Sequence, residues 1–147
     1  MEFYNNQNNK NSMNKKNILL NQRCDEKRKY LKGLFYILRN DNYNLIESDS
    51  EDKAYRLFEK NKNNLDAIIT EVSLDNINSI TLYSKMKSSK PDLKYFVSTK
   101  EIKENTISDS SHFYKTNNKC ENDQILEIEE YSNLKKMVFD TIYHLEK

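Results

Sequence analysis

Short, continuous apolar runs separated by amphipathic stretches constrain this chain more than any other feature. Ile18-Leu19-Leu20, Ala67-Ile68-Ile69 and Tyr95-Phe96-Val97 are unbroken rather than alternating. A strand that is apolar on both sides must be covered on both sides, as in a parallel sheet between helices. Helical spacings lie between the runs. Leu31, Leu34, Phe35 and Leu38 predict an amphipathic helix over 25–39, with Asp25 placed to cap it. Ala54, Leu57 and Phe58 mark a second helix, entered through Ser48-Asp49-Ser50-Glu51, which has capping-box form. Ile77, Ile80, Tyr83 and Met86 mark a third, and Leu134, Met137, Val138, Ile142 and Leu145 mark a last helix from about residue 132.

Residues 65–99, LDAIITEVSLDNINSITLYSKMKSSKPDLKYFVST, form the densest part of this pattern. One apolar run ends at Glu71. A helix and a turn holding the only proline, Pro91, lead to the second run, which ends in Ser98-Thr99. This is a βαβ unit with an acid and hydroxyls at the carboxyl ends of its strands, where open α/β sheets place their sites. Strands over 17–21 and 43–47 precede it, and a fifth is expected over 124–128, after an irregular helix to about 113 and a polar loop. Right-handed crossovers then favour an α/β, flavodoxin-like doubly wound sheet of order 2-1-3-4-5. Residues 1–16 read as a disordered polar tail and 17–147 as a single domain; parts of 108–123 also lack the apolar residues needed to offset their ordering entropy.

Composition narrows the function classes. A net charge of +1 gives the chain no field that would attract nucleic acid or an acidic partner. Lysines interleave with Tyr30, Tyr36 and Tyr43, a pattern that fits amphipathic core edges better than a base-stacking surface. No apolar run approaches membrane-spanning length, and the first residues lack a signal peptide's apolar core, so a cytoplasmic protein is expected. Cys24 and Cys120 lie far apart without metal-ligand spacing and read as reduced thiols rather than a disulfide. His112 and His144 read as isolated surface residues outside any nucleophile motif. Gly33, the only glycine, falls inside a predicted helix, so there is no glycine-rich phosphate loop. No catalytic residue and no cofactor site emerges, and the chain is not read as an enzyme.

The run DAIITEVSLDNINSITLYSKMK resembles the third strand and following helix of the receiver domains of bacterial response regulators, typically DLIILDIMMPGMDGLELLRRIR. Without a gap, Glu71 falls on the phosphoacceptor aspartate, Asp75-Asn76 on Pro-Gly and Asn78-Ser79 on Asp-Gly. PDLKYFVSTK is similar to the family's PDLPVIVLTAK, with Ser98 on the switch Thr/Ser. The likeness extends upstream over residues 17–60 and fades after Lys100.

In that family two acids after the first strand hold Mg²⁺ with the phosphoacceptor, and a lysine after the fifth strand pairs with the phosphoryl group. The resemblance places Gln22 and Arg23 on the acidic pair. It places Glu127 on the lysine, or Lys115 there if the fifth strand lies earlier. Asp25 and Glu26 would serve as acids only with a shifted register; otherwise they are first-turn residues favoured by the helix dipole. Glu71 is then either a fixed negative charge or a polar strand end. The resemblance thus implies a stand-alone, CheY-like pseudo-receiver acting by protein–protein interaction, without phosphorylation, metal or cofactor. The alternative is a phosphoacceptor in a histidine-kinase phosphorelay with an unorthodox site. The implied partner is a signalling protein, either a histidine kinase or a downstream effector. It would dock on the family's fourth helix, fifth strand and fifth helix, with no role for nucleic acid or membrane.

Overall fold

A computed structural model describes residues 15–73, 76–100, 111–116 and 128–147. Along the chain run β1 (Lys16–Asn21), α1 (Asp25–Arg39), β2 (Tyr43–Ser48), α2 (Glu51–Asn61), β3 (Ala67–Glu71), α3 (Ile77–Ser89), β4 (Lys94–Thr99), β5 (His112–Lys115) and α4 (Ile128–Leu145). The strands form one parallel sheet of order β2-β1-β3-β4-β5, the doubly wound order expected from the sequence.

The continuous apolar runs split residue by residue between the two faces, because side chains alternate across a strand. Ile18, Leu20, Ala67, Ile69 and Phe96 pack against Leu31 and Phe35 of α1 and Leu134, Met137, Val138 and Ile142 of α4. Leu19, Ile68, Tyr95 and Val97 pack against Ala54 and Phe58 of α2 and Leu82 and Met86 of α3. Helix entries are set locally. Ser50 caps α2, its side chain accepting from the Lys53 amide. Asn76 caps α3, accepting from the amides of Asn78 and Ser79. The α1 cap is Cys24, which offers no side-chain hydrogen bond, so Asp25 is a first-turn acid rather than the cap.

Several expectations are corrected. The fifth strand is His112–Lys115, not 124–128, so the expected helix to about 113 ends inside a strand. The strand was hard to read because it is short and at the sheet edge. Phe113 belongs to one face and Tyr114 to the other, flanked by His112 and Lys115, so no long apolar run marks it. The last helix begins at Ile128, a turn before Ser132. Ile77 is exposed, and Ser79, Leu82 and Met86 carry the inner side of α3. Ser79 is inward because its hydroxyl accepts from the Ser73 amide at 3.0 Å.

Cys24 is disulfide-bonded rather than a reduced thiol. The other cysteine, Cys120, lies outside the described residues, as do most of the expected polar tail over 1–16 and most of 108–123. Lys16, assigned to that tail, is the first residue of β1. Among the described residues no helix is long and apolar enough to cross a membrane.

Candidate functional site

The site is assembled at the carboxyl end of the sheet, beneath the first turns of α1 and α4. Glu71 closes β3 and is in register with Ser98 of β4, which in turn is in register with Tyr114 of β5. Two residues after Ile69, Glu71 shares that residue's face, the one covered by α1 and α4. The Ser79 hydroxyl donates to the Glu71 carbonyl at 3.4 Å, and the Val72 amide donates to the Ser98 carbonyl at 2.9 Å.

Gln22 follows β1 and is fully buried. Its Nε2 donates to Ser98 Oγ at 2.9 Å, its amide N–H donates to the Ser48 carbonyl, and its carbonyl accepts from Arg28 at 2.8 Å. Its Oε1 is buried without a hydrogen-bond partner among the described residues. Asn21, one position earlier, donates to Thr70 Oγ1 at 3.1 Å. Arg23 turns outward, more than half exposed, and pairs with Glu51 at 2.5 Å. Of the two residues expected at the acidic pair, Gln22 therefore reaches Ser98, whereas the head group of Arg23 sits towards solvent.

The residue that sequence reasoning missed is Lys27. It sits in the first turns of α1, only 1% exposed, and its Nζ lies 2.7 Å from Glu130 Oε1 at the start of α4. A signal was present in the sequence: Lys27 stands four residues before Leu31 and eight before Phe35, the two buried apolar residues of α1. A lysine on that stripe has to enter the interior and find an anion there. Burial raises the Glu71 carboxyl above its ordinary range. Lys27 and then Arg23 oppose the shift, and Glu51 and Glu130 add to it. Lys27 is thus the strongest positive influence on Glu71, and its ammonium is anchored by Glu130.

This donor set does not fit Mg²⁺. A small hard cation takes anionic oxygens in near-octahedral array. Here the neutral amide Gln22 and the cation Arg23 stand where the resemblance places two carboxylates, and the cations Lys27 and Arg23 already act on Glu71. Asp25 is exposed and pairs with Arg28, and Glu26 is exposed, so neither joins the site. Among the described residues no cluster of three or more His, Cys, Asp or Glu could hold a metal ion.

The assignment of Glu127 to the lysine rests on a fifth strand over 124–128; with β5 at His112–Lys115 the condition for the alternative, Lys115, is met, and Glu127 lies outside the described residues. Lys115 closes β5 at the same end of the sheet with an exposed side chain, and its carbonyl accepts from Asn133 at 2.7 Å. The two histidines are not isolated. His112 stacks on Phe96 at 5.1 Å, and its ring lies 4.4 Å from that of His144. Desolvation, then the neighbouring His112, lowers the His144 pKa.

No protein-family model and no curated protein matches the sequence. Solved structures do match. A signal receiver domain of an HD domain-containing protein from Pseudomonas fluorescens aligns with a TM-score of 0.61 at 14% identity, covering 90% of this chain and 98% of that one. CheY in a CheX–CheY–BeF3–Mg complex from Borrelia burgdorferi aligns with a TM-score of 0.60 at 13% identity, covering 86% and 89%. The receiver domain of the hybrid histidine kinase CckA aligns with a TM-score of 0.56 at 16% identity, covering 89% and 99%. The chain has the fold of CheY-like receiver domains.

Proposed function

We propose that the chain is an atypical, receiver-like signalling module that acts through protein–protein contacts without being phosphorylated, and not as an enzyme. Glu71 is the phosphoacceptor equivalent, Gln22 and Arg23 stand for the acidic pair, and Ser98 stands for the switch hydroxyl. One observation carries the reading: an ammonium, Lys27, is buried at this end of the sheet in an ion pair with Glu130, where phosphoryl transfer would call for a divalent metal. With Gln22 donating to Ser98, the hydroxyl is already engaged by a neutral amide. Charge developing on a transferring phosphoryl group would meet an ammonium already neutralised by Glu130 in place of a divalent metal.

The partner, on this reading, is a histidine kinase or a downstream effector. Among proteins of this fold, CheY is seen in complex with CheX, and another receiver belongs to a hybrid histidine kinase. The cytoplasm is the compartment in which such a module would meet its partner. The Cys24 disulfide requires that it escape the reductants that keep most cytosolic thiols reduced. A second reading, phosphorylation at an unorthodox site, draws on Lys115, which ends β5 at the same carboxyl end of the sheet as Glu71.

Incubation with Mg²⁺ and acetyl phosphate, followed by intact-mass measurement, separates the two. The proposal expects no adduct. A stoichiometric phosphate adduct absent from Glu71→Ala would establish the second reading. Glu71→Gln then asks whether the fixed charge is read, since it should change partner affinity only if it is.

A further inference from the structure

We infer that Lys27 is the resident cation of this site: its buried ammonium, paired with Glu130 at the carboxyl end of the sheet, supplies the positive charge that a divalent metal would supply there and thereby makes the site refuse one. The inference rests on the reading of Glu71 as the phosphoacceptor equivalent. Three observations support it. Lys27 enters from the first turns of α1, directly after the Gln22 segment, and is almost wholly buried. Its Nζ is fixed at 2.7 Å by Glu130, which α4 brings over the same end of the sheet. The buried Gln22 Oε1 has no hydrogen-bond partner among the described residues, leaving a hard oxygen available on this face next to Ser98.

The chemistry follows from charge. Two carboxylates near one another in a desolvated place need positive charge between them. A divalent ion could supply it but would have to be taken up from solution. An ammonium on the chain is always present at the position where it is needed. Its presence repels Mg²⁺ and Mn²⁺ at contact distances, where the interaction is weakly screened. The state of the site is therefore independent of metal concentration, and the module is held in one electrostatic state. Removing Lys27 should leave Glu71, Glu130 and the Gln22 oxygen as a set of hard donors with a net negative charge, the chemistry that divalent cations take.

The test uses the full chain and Mn²⁺ as a probe, followed by electron paramagnetic resonance, with Mg²⁺ in thermal unfolding as the second readout. Wild type and Lys27→Arg should bind Mn²⁺ only weakly and show no Mg²⁺-specific stabilisation over matched ionic strength. Lys27→Ala should bind Mn²⁺ at least about tenfold more tightly and regain stability with Mg²⁺. That gain should disappear in Lys27→Ala/Glu130→Gln. If Lys27→Ala gains nothing from either metal, folded or unfolded, the inference is overturned. It is overturned equally if wild type binds Mn²⁺ as tightly as the variant. A phosphate adduct formed by wild type in the presence of a chelator would count against the proposed function while leaving the place of Lys27 intact.

Discussion

Removing Lys27 should destabilise the protein more than removing Glu130, although the two form one ion pair. At the observed separation of 2.7 Å, their attraction is about 6 kcal/mol at an effective dielectric near 20. Burying both ions costs several kcal/mol each, so the pair as a whole contributes little net stability. Breaking it is another matter, because the remaining charge is left in the interior at a cost of ~3–5 kcal/mol. The two single changes are not equivalent. Glu130→Gln leaves the ammonium beside Glu71, which still compensates it in part. Lys27→Met leaves Glu130 buried without its partner and Glu71 with only Arg23 to oppose the effect of its burial. Lys27→Met should therefore fall in the upper part of that range and Glu130→Gln at or below its lower end. The double variant Lys27→Met/Glu130→Gln should be less destabilised than the sum by at least ~2 kcal/mol. Urea unfolding followed by circular dichroism suits a chain without tryptophan, with the slope checked for constancy across variants. Equal losses from the two single variants, or additivity within ~0.5 kcal/mol, would refute the claim that Lys27 is shared between two carboxylates.

Other outcomes follow from individual residues. Because burial raises the Glu71 carboxyl in the folded state, the unfolded chain gives up this proton first as pH rises, so the ionised group lowers stability above its ordinary range. Glu71→Gln should therefore be more stable than wild type at neutral pH, with the advantage fading as the pH falls below the unfolded value; an advantage that grew towards acid would reverse the assigned sign. Gly33 lies inside α1 with nothing within 4 Å of a built Cβ, so Gly33→Ala should stabilise the protein by ~0.5–1 kcal/mol in the same unfolding assay, and a loss would show that the helix face is more crowded than described. Cys24 should resist alkylation in the denatured, unreduced chain and react after reduction; labelling without reductant would remove the disulfide.

The sheet order was legible because β1, β3 and β4 are buried on both faces, so that Leu19 and Ile18, or Ile68 and Ile69, serve opposite layers and must both be apolar. The α1 boundaries were legible from Leu31 and Phe35. The edge strand was not, since His112–Lys115 presents one aromatic to each face and no run at all, while the more apolar QILEI at 124–128 drew the assignment away. At the site, Glu71 and Ser98 were placed by strand ends, and the structure sets them in register. Lys27 was overlooked because a charged residue on an apolar stripe is ordinarily assigned to the helix boundary. Only the arrival of Glu130 from the far end of the chain, 103 residues later, reveals why it turns inward. The His112–His144 contact was hidden for the same reason: it joins β5 to α4, and no local pattern links the two.

The central claim is that a receiver-type sheet here carries a site that does not respond to metal or phosphoryl group. Amide NMR spectra of the full chain, recorded with Mg²⁺ alone and with Mg²⁺ plus beryllofluoride, test it most directly. The account predicts that the amides of Gln22, Glu71, Val72, Ser98, Thr99 and Lys115 stay in place apart from small changes common to any added salt. Saturable shifts centred on Glu71 and Ser98 and spreading into β5 and α4 would contradict it.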